Sequence, residues 1–268
     1  FANHYQLMNP PLISVIMSVY NCEKYVSVAI ESILNQSYSN FEFVIINDGS
    51  TDSSMEIIKK YQHKDSRIVL IDQKNIGLTK SLNKGIKIAK GDYIARMDSD
   101  DISKPLRFNN FLDYIKLHKN VMIYTTPAII IDSFGNYIRK IPSYFRRNGF
   151  SERMLDYTNS LIHGTLIINS ELLKKHHYDE SYRVAQDFNL YHRLIFNGYK
   201  INYDKNNVSY LLRIHNNQVT NRSSLSQKEL YFKTLNEFNK KIYKFNIINR
   251  ILFKFFDLHF YIKTKLGL

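Results

Sequence analysis

The sequence predicts an α/β fold built around a mostly parallel sheet. Four continuously apolar runs of β type begin at residues 12, 41, 67 and 93, so that their starts lie 29, 26 and 26 residues apart. Amphipathic segments with helical spacing of apolar residues fill the intervals between them. Strands that are apolar along their whole length and alternate with helices are typical of a parallel sheet covered on both faces.

The first hundred residues therefore predict four strands separated by three helices. The expected strands are Leu12–Tyr20, Phe41–Asn47, Arg67–Ile71 and Tyr93–Met97. The expected helices have apolar faces at Val26, Ile30, Ile33 and Leu34, then Met55, Ile57, Ile58 and Tyr61, then Leu78, Leu82, Ile86 and Ile88. Ser50, Thr51 and Asp52 are the candidate N-caps of the second helix, because short polar side chains accept hydrogen bonds from the first backbone N–H groups.

Composition restricts the class of protein. With 268 residues, 44% hydrophobic and 23% charged, the chain is expected to form one domain with an appendage, and wholly disordered proteins are excluded. The single cysteine, Cys22, predicts no internal disulfide, no Cys/His spacing suggests zinc, and a reducing, cytoplasmic setting is expected. No signal peptide is recognised and no apolar run reaches about 18 residues, so no membrane crossing is expected.

The chain is strongly basic and rich in aromatic residues. Lys and Arg number 37 against 24 acidic residues, a net charge of +13, with 20 Tyr and 17 Phe. Such a charge favours anionic partners, namely nucleic acid, lipid headgroups or phosphorylated substrates. The codon usage of an AT-rich genome would produce the same composition without any functional meaning, so both explanations stay open.

Polar residues follow the expected strands at the edge where parallel sheets bind ligands. Asn21 follows the first strand, Asp48 the second, Asp72 the third, and Asp98 and Asp100 the fourth. Carboxylates two residues apart suit a divalent metal that carries a phosphate, because Mg²⁺ and Mn²⁺ prefer oxygen ligands. Aspartates also form turns, but acidic loops after two strands favour the metal site. The absence of G-x-x-x-x-G-K-[ST] and of a strand-linked G-x-G-x-x-G disfavours P-loop nucleotidases and dinucleotide-dependent dehydrogenases.

Four motifs stand in the order and spacing found in one enzyme family. They are PLISVIMSVYNCEKY, VIINDGSTDSS, NIGLTKSLNKGIKIAKGDYIARMDSDD and AQDFNLYHRL, between about residues 11 and 220. The chain thus resembles family-2 glycosyltransferases with the GT-A fold, which implies a mostly parallel central sheet with flanking helices plus a C-terminal helical tail. The expected divisions are an N-terminal extension (1–10), a catalytic domain (11–220) with a nucleotide-binding half (11–101) and an acceptor and catalytic-base half (102–220), and a basic amphipathic tail (221–268).

The resemblance implies roles for individual residues. The expected nucleotide-binding residues are Val19, Tyr20, Asn21, Glu23, Asp48, Gly49, Asn75, Gly77, Asn83, Arg96 and Asp98. The expected ligands of Mn²⁺ or Mg²⁺ are Asp98, Asp100 and His215, the expected catalytic base is Asp187, and His163 and Arg213 are expected near the acceptor or the diphosphate. The alternatives are a buried, hydrogen-bonded histidine for His163, surface loop positions for His215 and Arg213, and a helix-terminal carboxylate for Asp187.

The implied activity is transfer of a hexose or N-acetylhexosamine from a UDP-sugar to a hydroxyl of a saccharide or lipid-linked saccharide. The family implies inversion to a β-glycosidic bond, and the tail motif RIHNNQVT resembles members that build bacterial lipooligosaccharide, O-antigen or capsule. Two departures from the family pattern are Gln186, where Glu is usual, and Ser81-Leu82, where many members have Ala-Arg. The alternatives are a sugar nucleotidyltransferase and a non-catalytic polyanion-binding protein, and no nucleic-acid partner is expected.

The tail carries nearly half of the net charge. Residues 227–268 hold nine Lys or Arg and three acidic residues, interleaved with apolar residues near helical spacing. A basic amphipathic helix with aromatic residues is typical of an anchor on an anionic membrane surface. The same pattern would also suit a helix that packs on the catalytic domain. The expected location is cytoplasmic, peripheral on the inner face of the cell membrane.

Overall fold

A computed structural model describes residues 10–141 and 161–216, together with 218, 227, 229–231, 233–235 and 237. The N-terminal extension, apart from residue 10, and most of the predicted tail lie outside the described residues. The predicted membrane contact of residues 247–268 falls outside the described residues, whereas Leu235 of the tail packs with Ala185 and Phe188 of the catalytic domain. None of the helices in the described ranges combines the length and apolarity needed to span a membrane.

The main sheet has seven strands in the order β10-β6-β9-β4-β1-β2-β3. Their bounds are β1 Ile13–Val19, β2 Phe41–Asp48, β3 Ile68–Gln73, β4 Tyr93–Asp98, β6 Ile123–Thr125, β9 Ile167–Asn169 and β10 Ile201–Tyr203. Strand β9 runs antiparallel to β4 and β6, and the other neighbours pair in parallel. The four predicted strands and the mostly parallel α/β fold are confirmed.

The helices flank this sheet, and a smaller second sheet lies beside it. The helices are α1 Val26–Leu34, α2 Ser54–Gln62, α3 Leu78–Ile88, α4 Arg107–Leu117, α5 Ser170–Lys175 and α6 Gln186–Phe196. The second sheet has the order β5-β11-β7-β8, with β5 Ile102–Ser103, β7 Ala128–Ile131, β8 Tyr137–Ile141 and β11 Tyr210–Arg213. The three predicted helices are α1, α2 and α3.

The central strand shows why the sequence reads as one continuous apolar run. Every residue of β1 is buried, because helices cover both faces of the sheet. Met17 packs in one cluster with Ile30 of α1, whereas Ile16 packs in a second cluster with Leu82 of α3. Successive residues of a strand point to opposite faces, so both sets must be apolar.

The start of α2 differs from the prediction by one residue. Ser53 is the N-cap residue, and the helix begins at Ser54. The predicted candidate Asp52 does serve the helix end, since its Oδ1 accepts a hydrogen bond from the Ser54 N–H at 3.0 Å. Asp52 also accepts a hydrogen bond from the Glu23 N–H at 3.0 Å, which connects it to the neighbouring loop.

Candidate active site

Hydrogen bonds connect the loop after β1 with the loop after β2 at the carboxyl edge of the sheet. Asn21, which has a φ of 49°, accepts a hydrogen bond from the Thr51 N–H at 2.7 Å through its Oδ1. Glu23 Oε2 accepts from the Ser53 N–H at 2.9 Å. Tyr20 is 52% exposed at the end of β1. The predicted residues Asn21 and Glu23 thus hold the loop after β1 against the loop after β2 and leave Tyr20 open to solvent.

Asp48 is a buried carboxylate that organises the next loop. The residue is 2% exposed, and its Oδ1 accepts hydrogen bonds from Gln73 Nε2 and the Ile76 N–H, each at 2.9 Å. Its Oδ2 accepts from the Gly77 N–H at 2.9 Å. Gly77 is the N-cap residue of α3, so the negative charge of Asp48 lies at the positive end of that helix dipole.

The glycines of this loop are required by its geometry. Gly49 has a φ of +73°, and a Cβ at this position would lie 2.5 Å from the Asn75 backbone nitrogen. Gly77 has a φ of +90°, which favours glycine over residues with a side chain. The segment containing Asn75 and Gly77 can therefore lie directly against the end of β2. The structure brings Asp48, Gly49, Asn75 and Gly77 together, as the sequence predicts.

The acidic loop after β4 meets a residue from the far end of the described chain. His215 Nε2 lies 2.9 Å from Asp100 Oδ2, although 115 residues separate them in the sequence. The side chains of His215 and Asp100 are 13% and 20% exposed. The Gln218 amide also reaches Asp100, at 3.4 Å. His215 lies in the loop after β11 and is half-buried against the acidic loop.

Arg96 has a different partner from the one predicted. Its guanidinium is 4% exposed and lies 2.5 Å from Asp98 Oδ1. Burial leaves it no direct access to a phosphate, so any effect on a nucleotide passes through Asp98. Burial raises the pKa of Asp98 above its ordinary value, against the opposing effect of Arg96.

Arg213 braces the same loop from the second sheet. It is 4% exposed, so the alternative of a surface loop position is wrong. Its Nε donates to the Asp100 carbonyl at 2.8 Å, and its backbone N–H donates to Asp101 Oδ1 at 2.7 Å. Its Nη1 donates to the carbonyls of Asp132 and Ser133 at 3.2 and 3.3 Å. Nε and Nη1 of Arg213 bind carbonyls. The predicted contact with the diphosphate would therefore have to be made by Nη2.

Two further buried residues support the acidic loop, and the motifs did not reveal them. Arg107 is fully buried and donates to the Arg96 carbonyl at 2.9 Å, while burial lowers its pKa to about 10. Tyr210 is also fully buried, and its hydroxyl accepts the Asp98 N–H at 3.0 Å. Arg107 lies nine residues after Asp98. A basic residue this soon after the acidic loop is the one signal in the sequence that points to such a supporting role.

The donor set at Asp100 and His215 fits a divalent cation of the Mn²⁺ type. A carboxylate oxygen and an imidazole nitrogen suit such an ion. His215 Nε2 and Asp100 Oδ2 lie 2.9 Å apart, so these two groups would hold one cation between them. Among the described residues no group of three His, Cys, Asp or Glu side chains is arranged to hold a metal. The Asp98 carboxylate, which the sequence predicts as a third ligand, pairs with Arg96.

The predicted base and the predicted acceptor residue lie around Tyr178. Asp187 is half-buried in the first turn of α6. Burial raises the pKa of the Tyr178 hydroxyl, and the nearby charges of Asp187 and Asp98 raise it further. His163 Nε2 lies 2.6 Å from that hydroxyl, and burial together with Arg96 holds the pKa of His163 well below its usual value. His163 is therefore a neutral, hydrogen-bonded imidazole, which matches the alternative that the sequence left open.

Asn83 also has protein partners in place of the expected nucleotide. Its Nδ2 donates to the Tyr178 carbonyl at 2.9 Å and to Glu180 Oε1 at 3.1 Å. Its Oδ1 accepts the Tyr178 N–H at 3.0 Å. Both atoms of the amide are thus used to hold residues 178–180 against α3.

Comparison with known proteins agrees with this arrangement. The model of glycosyl transferase family 2 matches residues 14–184. The chain is 34% identical over 237 residues to the O-antigen biosynthesis glycosyltransferase WbnJ of Escherichia coli, covering 86% of this chain and 90% of that protein. It is 35% identical over 196 residues to an uncharacterized glycosyltransferase of Methanocaldococcus jannaschii, covering 72% and 68%.

Solved structures share the fold. Staphylococcus aureus TarS 1-349 in complex with UDP-GlcNAc gives a TM-score of 0.69 at 21% identity, covering 88% of this chain and 68% of that one. The mannosyltransferase PcManGT from Pyrobaculum calidifontis, in complex with GDP-Man and Mn²⁺, gives 0.65 at 14% identity, covering 85% and 64%. The sheet order, the assembled loops and these matches agree, and the chain belongs to glycosyltransferase family 2 and has the GT-A fold.

Proposed function

We propose that the protein transfers a hexose or N-acetylhexosamine from a UDP-sugar to a hydroxyl of a saccharide or lipid-linked saccharide, with inversion to a β-glycosidic bond. The observation that carries the proposal is the contact between His215 and Asp100, which assembles a ligand pair for a diphosphate-bound cation from distant parts of the chain. Similarity to WbnJ, named for O-antigen biosynthesis, supports a role in bacterial surface polysaccharide or lipooligosaccharide synthesis.

The nucleotide would lie in the cleft between the loops after β1, β2 and β4. Tyr20 supplies an exposed aromatic surface for the base, next to the backbone of Val19 and the braced Asn21 and Glu23. Asp98, whose side chain is 31% exposed, can accept hydrogen bonds from ribose hydroxyls. Its pairing with Arg96 fixes the carboxylate in place for that contact.

The leaving group is a nucleoside diphosphate, and its departure builds up negative charge. Asp100 and His215 would hold Mn²⁺ or Mg²⁺, and such a cation, when bound, neutralises charge on the diphosphate. Arg213 keeps the loop rigid by binding the Asp100 carbonyl. Since a diphosphate leaves without being protonated, the site needs only one proton-transferring group.

Asp187 is proposed to be that group. An acceptor hydroxyl becomes a good nucleophile only when a positioned base takes its proton, and a carboxylate can do so. The hydroxyl oxygen would form a bond to the anomeric carbon as the bond to the diphosphate breaks, and the proton would pass to Asp187. Attack from the face opposite the diphosphate inverts the anomeric centre, so that an α-linked UDP-sugar yields a β-glycoside.

Calorimetric titration of UDP tests the donor site without knowledge of the acceptor. We expect UDP to bind the wild type in Mn²⁺, to bind more weakly in EDTA, and to lose its Mn²⁺ dependence in Asp100→Ala. Asp113→Ala is the matched control, because this aspartate is 68% exposed and pairs with Lys116 in the next turn of α4. Absence of UDP binding by the wild type would refute the UDP-sugar proposal.

The role of Asp187 requires turnover. Once a UDP-sugar and an acceptor are found by screening for UDP release, Asp187→Asn should retain UDP affinity and lose about 10²- to 10⁴-fold in rate. Nuclear magnetic resonance of the product should show the β-anomer. A retained α configuration, or an Asp187→Asn variant of normal rate, would contradict the mechanism. Release of pyrophosphate in place of UDP would point to a nucleotidyltransferase.

We also propose a cytoplasmic enzyme bound peripherally to the inner face of the membrane. The support is the basic, apolar composition of residues 227–268 and an acceptor class that is often lipid-linked. Deletion of residues 247–268 should abolish sedimentation with anionic liposomes while leaving UDP binding intact. Unchanged liposome binding by the truncated chain would refute this location for the anchor.

A further inference from the structure

Two side chains of helix α3 form hydrogen bonds with the chain segment that precedes Asp187. Thr79 and Asn83 are four residues apart, so they share one face of the helix. Thr79 Oγ1 donates to the Tyr182 carbonyl at 2.6 Å. Asn83 forms a reciprocal pair with the backbone of Tyr178, donating to its carbonyl and accepting from its N–H. We call this set of contacts the α3 clamp.

Three of the four residues of the α3 clamp are buried, and Asn83 is half-buried. Thr79 is 3% exposed, Tyr178 is 2% exposed and Tyr182 is 1% exposed. A buried backbone carbonyl or N–H that loses its partner carries the full cost of its desolvation. The clamped segment is therefore fixed in place by two particular side chains, in addition to its apolar packing.

The clamp lies next to the predicted base in the chain. Tyr182 precedes Asp187 by five residues, and Ala185 between them has a left-handed φ of 58° before α6 begins. At the other end of the segment, the Tyr178 hydroxyl bonds to His163 at 2.6 Å. A shift of residues 178–182 would therefore move the start of α6, and Asp187 with it.

The N-terminal half of α3, which carries the clamp, is also attached to the proposed nucleotide cleft. Asp48 binds the N–H groups of Ile76 and Gly77, where α3 starts. Gln73 links this carboxylate to Ser81 on the helix, with 2.9 Å to each. Helix α3 thus connects the loop beside the nucleotide to the segment before Asp187 through a continuous series of hydrogen bonds.

We propose that Thr79 and Asn83 are positioning residues that set the location of Asp187 relative to the donor, and that neither contacts the nucleotide. The proposal rests on the proposed role of Asp187 as the base. It also replaces the nucleotide contact that the sequence predicts for Asn83, because both atoms of that amide already bind residues 178–180.

The test uses the full chain and three measurements. The variants are Asn83→Ala and Thr79→Val, with Thr79→Ser as the conservative rescue and Lys87→Ala as the control on an exposed position of the same helix. UDP affinity is measured by calorimetry in Mn²⁺. Amide hydrogen exchange is followed residue by residue, and UDP release is followed from UDP-GlcNAc with water as the acceptor and from any acceptor found by screening.

We expect the Tyr178 amide to exchange about tenfold faster in Asn83→Ala, since its hydrogen-bond acceptor is removed. Residues 178–187 should exchange faster in both clamp variants, while β1 and β2 keep wild-type protection. UDP affinity should stay within about twofold and UDP release should fall at least about tenfold, with Thr79→Ser and Lys87→Ala near wild type.

Two results would refute the proposed positioning role of the α3 clamp. One is unchanged exchange at residues 178–187 in both variants. The other is a loss of UDP affinity as large as the loss of rate, which would make Asn83 a nucleotide ligand. A wild type that releases no UDP from any UDP-sugar would refute the proposed function separately, and a clamp variant with wild-type rate would refute the positioning role alone.

Discussion

Replacing Asp48 by asparagine should destabilise the fold substantially, although the two side chains have nearly the same shape. The carboxylate is 2% exposed and accepts three hydrogen bonds of 2.9 Å, two at Oδ1 and one at Oδ2. Asparagine has one carbonyl oxygen and one NH₂ group, which only donates. Its best orientation keeps the oxygen toward Gln73 and Ile76 and turns the NH₂ toward the Gly77 N–H.

The size of the effect follows from that orientation. The Gly77 N–H loses a hydrogen bond to a charged group, which contributes about 1.5–3 kcal/mol. Loss of the negative charge at the N-terminus of α3 adds about 0.3–1 kcal/mol. The two remaining hydrogen bonds become neutral and weaker. We therefore expect the free energy of unfolding of Asp48→Asn to fall by about 2–4 kcal/mol.

Urea denaturation followed by circular dichroism measures this free energy directly. Asp113→Asn is the control, because Asp113 is 68% exposed and its ion pair with Lys116 is expected to contribute less than about 0.5 kcal/mol. If Asp48→Asn lost no more than this control, the three hydrogen bonds would not hold the loop. The account of how Asp48 organises residues 73–77 would then be wrong.

Three further variants or conditions test other parts of the site. Gly164→Ala should lose about 1–3 kcal/mol of stability and weaken UDP binding, because its Cβ would lie 2.3 Å from the Tyr210 ring; wild-type melting would contradict this. Burial raises the pKa of the Cys22 thiol to about 12, so iodoacetamide at pH 8 should label the folded chain about 10³-fold more slowly than the urea-unfolded chain, and comparable rates would refute the burial. Because the pKa of His163 is lowered in the folded chain, unfolding takes up a proton below about pH 6.5. The free energy of unfolding should therefore fall as the pH drops toward 5, by up to about 1.4 kcal/mol per pH unit. In His163→Gln this dependence of the free energy of unfolding on pH should be weaker.

The first half of the fold was predictable because its signals are local. Each of the four early strands is apolar along its length and starts 26 to 29 residues after the previous one. Strands β1, β2 and β3 are also neighbours in the sheet, whereas β4 pairs with β1. Residues at the carboxyl ends of such strands meet at one edge of the sheet, which is why Asn21, Asp48 and Asp98 lie at the same edge. Pattern and position alone are sufficient for this part of the site.

The second half was not predictable in the same way. Strand β9 has three residues and inserts antiparallel between β4 and β6, and β5 has two residues. Runs this short have no measurable periodicity, and their pairing depends on contacts between distant segments. Only the family resemblance linked His215 to Asp100, because nothing in the spacing of 115 residues indicates a contact.

Side-chain direction explains the protein partners of two predicted nucleotide-binding residues, Arg96 and Asn83. Arg96 and Asp98 are two apart on β4, so they lie on the same face of the strand, and their pairing could have been predicted from that periodicity. Asn83 is different, because its partner residues 178–180 lie nearly a hundred positions away. A motif indicates that a residue is close to a site, but it does not indicate which neighbour its side chain binds.

The charges around the acidic loop have a consequence for the calorimetric test. Three buried guanidiniums, those of Arg96, Arg107 and Arg213, surround the loop that carries the carboxylates of Asp98, Asp100 and Asp101. Their formal charges cancel, so the excess charge of +13 lies elsewhere on the chain. If all three carboxylates are ionised, a diphosphate that entered alone would meet as many carboxylates as guanidiniums and would gain little attraction. A cation that binds with the diphosphate supplies the missing positive charge. For this reason we expect EDTA to weaken UDP binding more than added salt does.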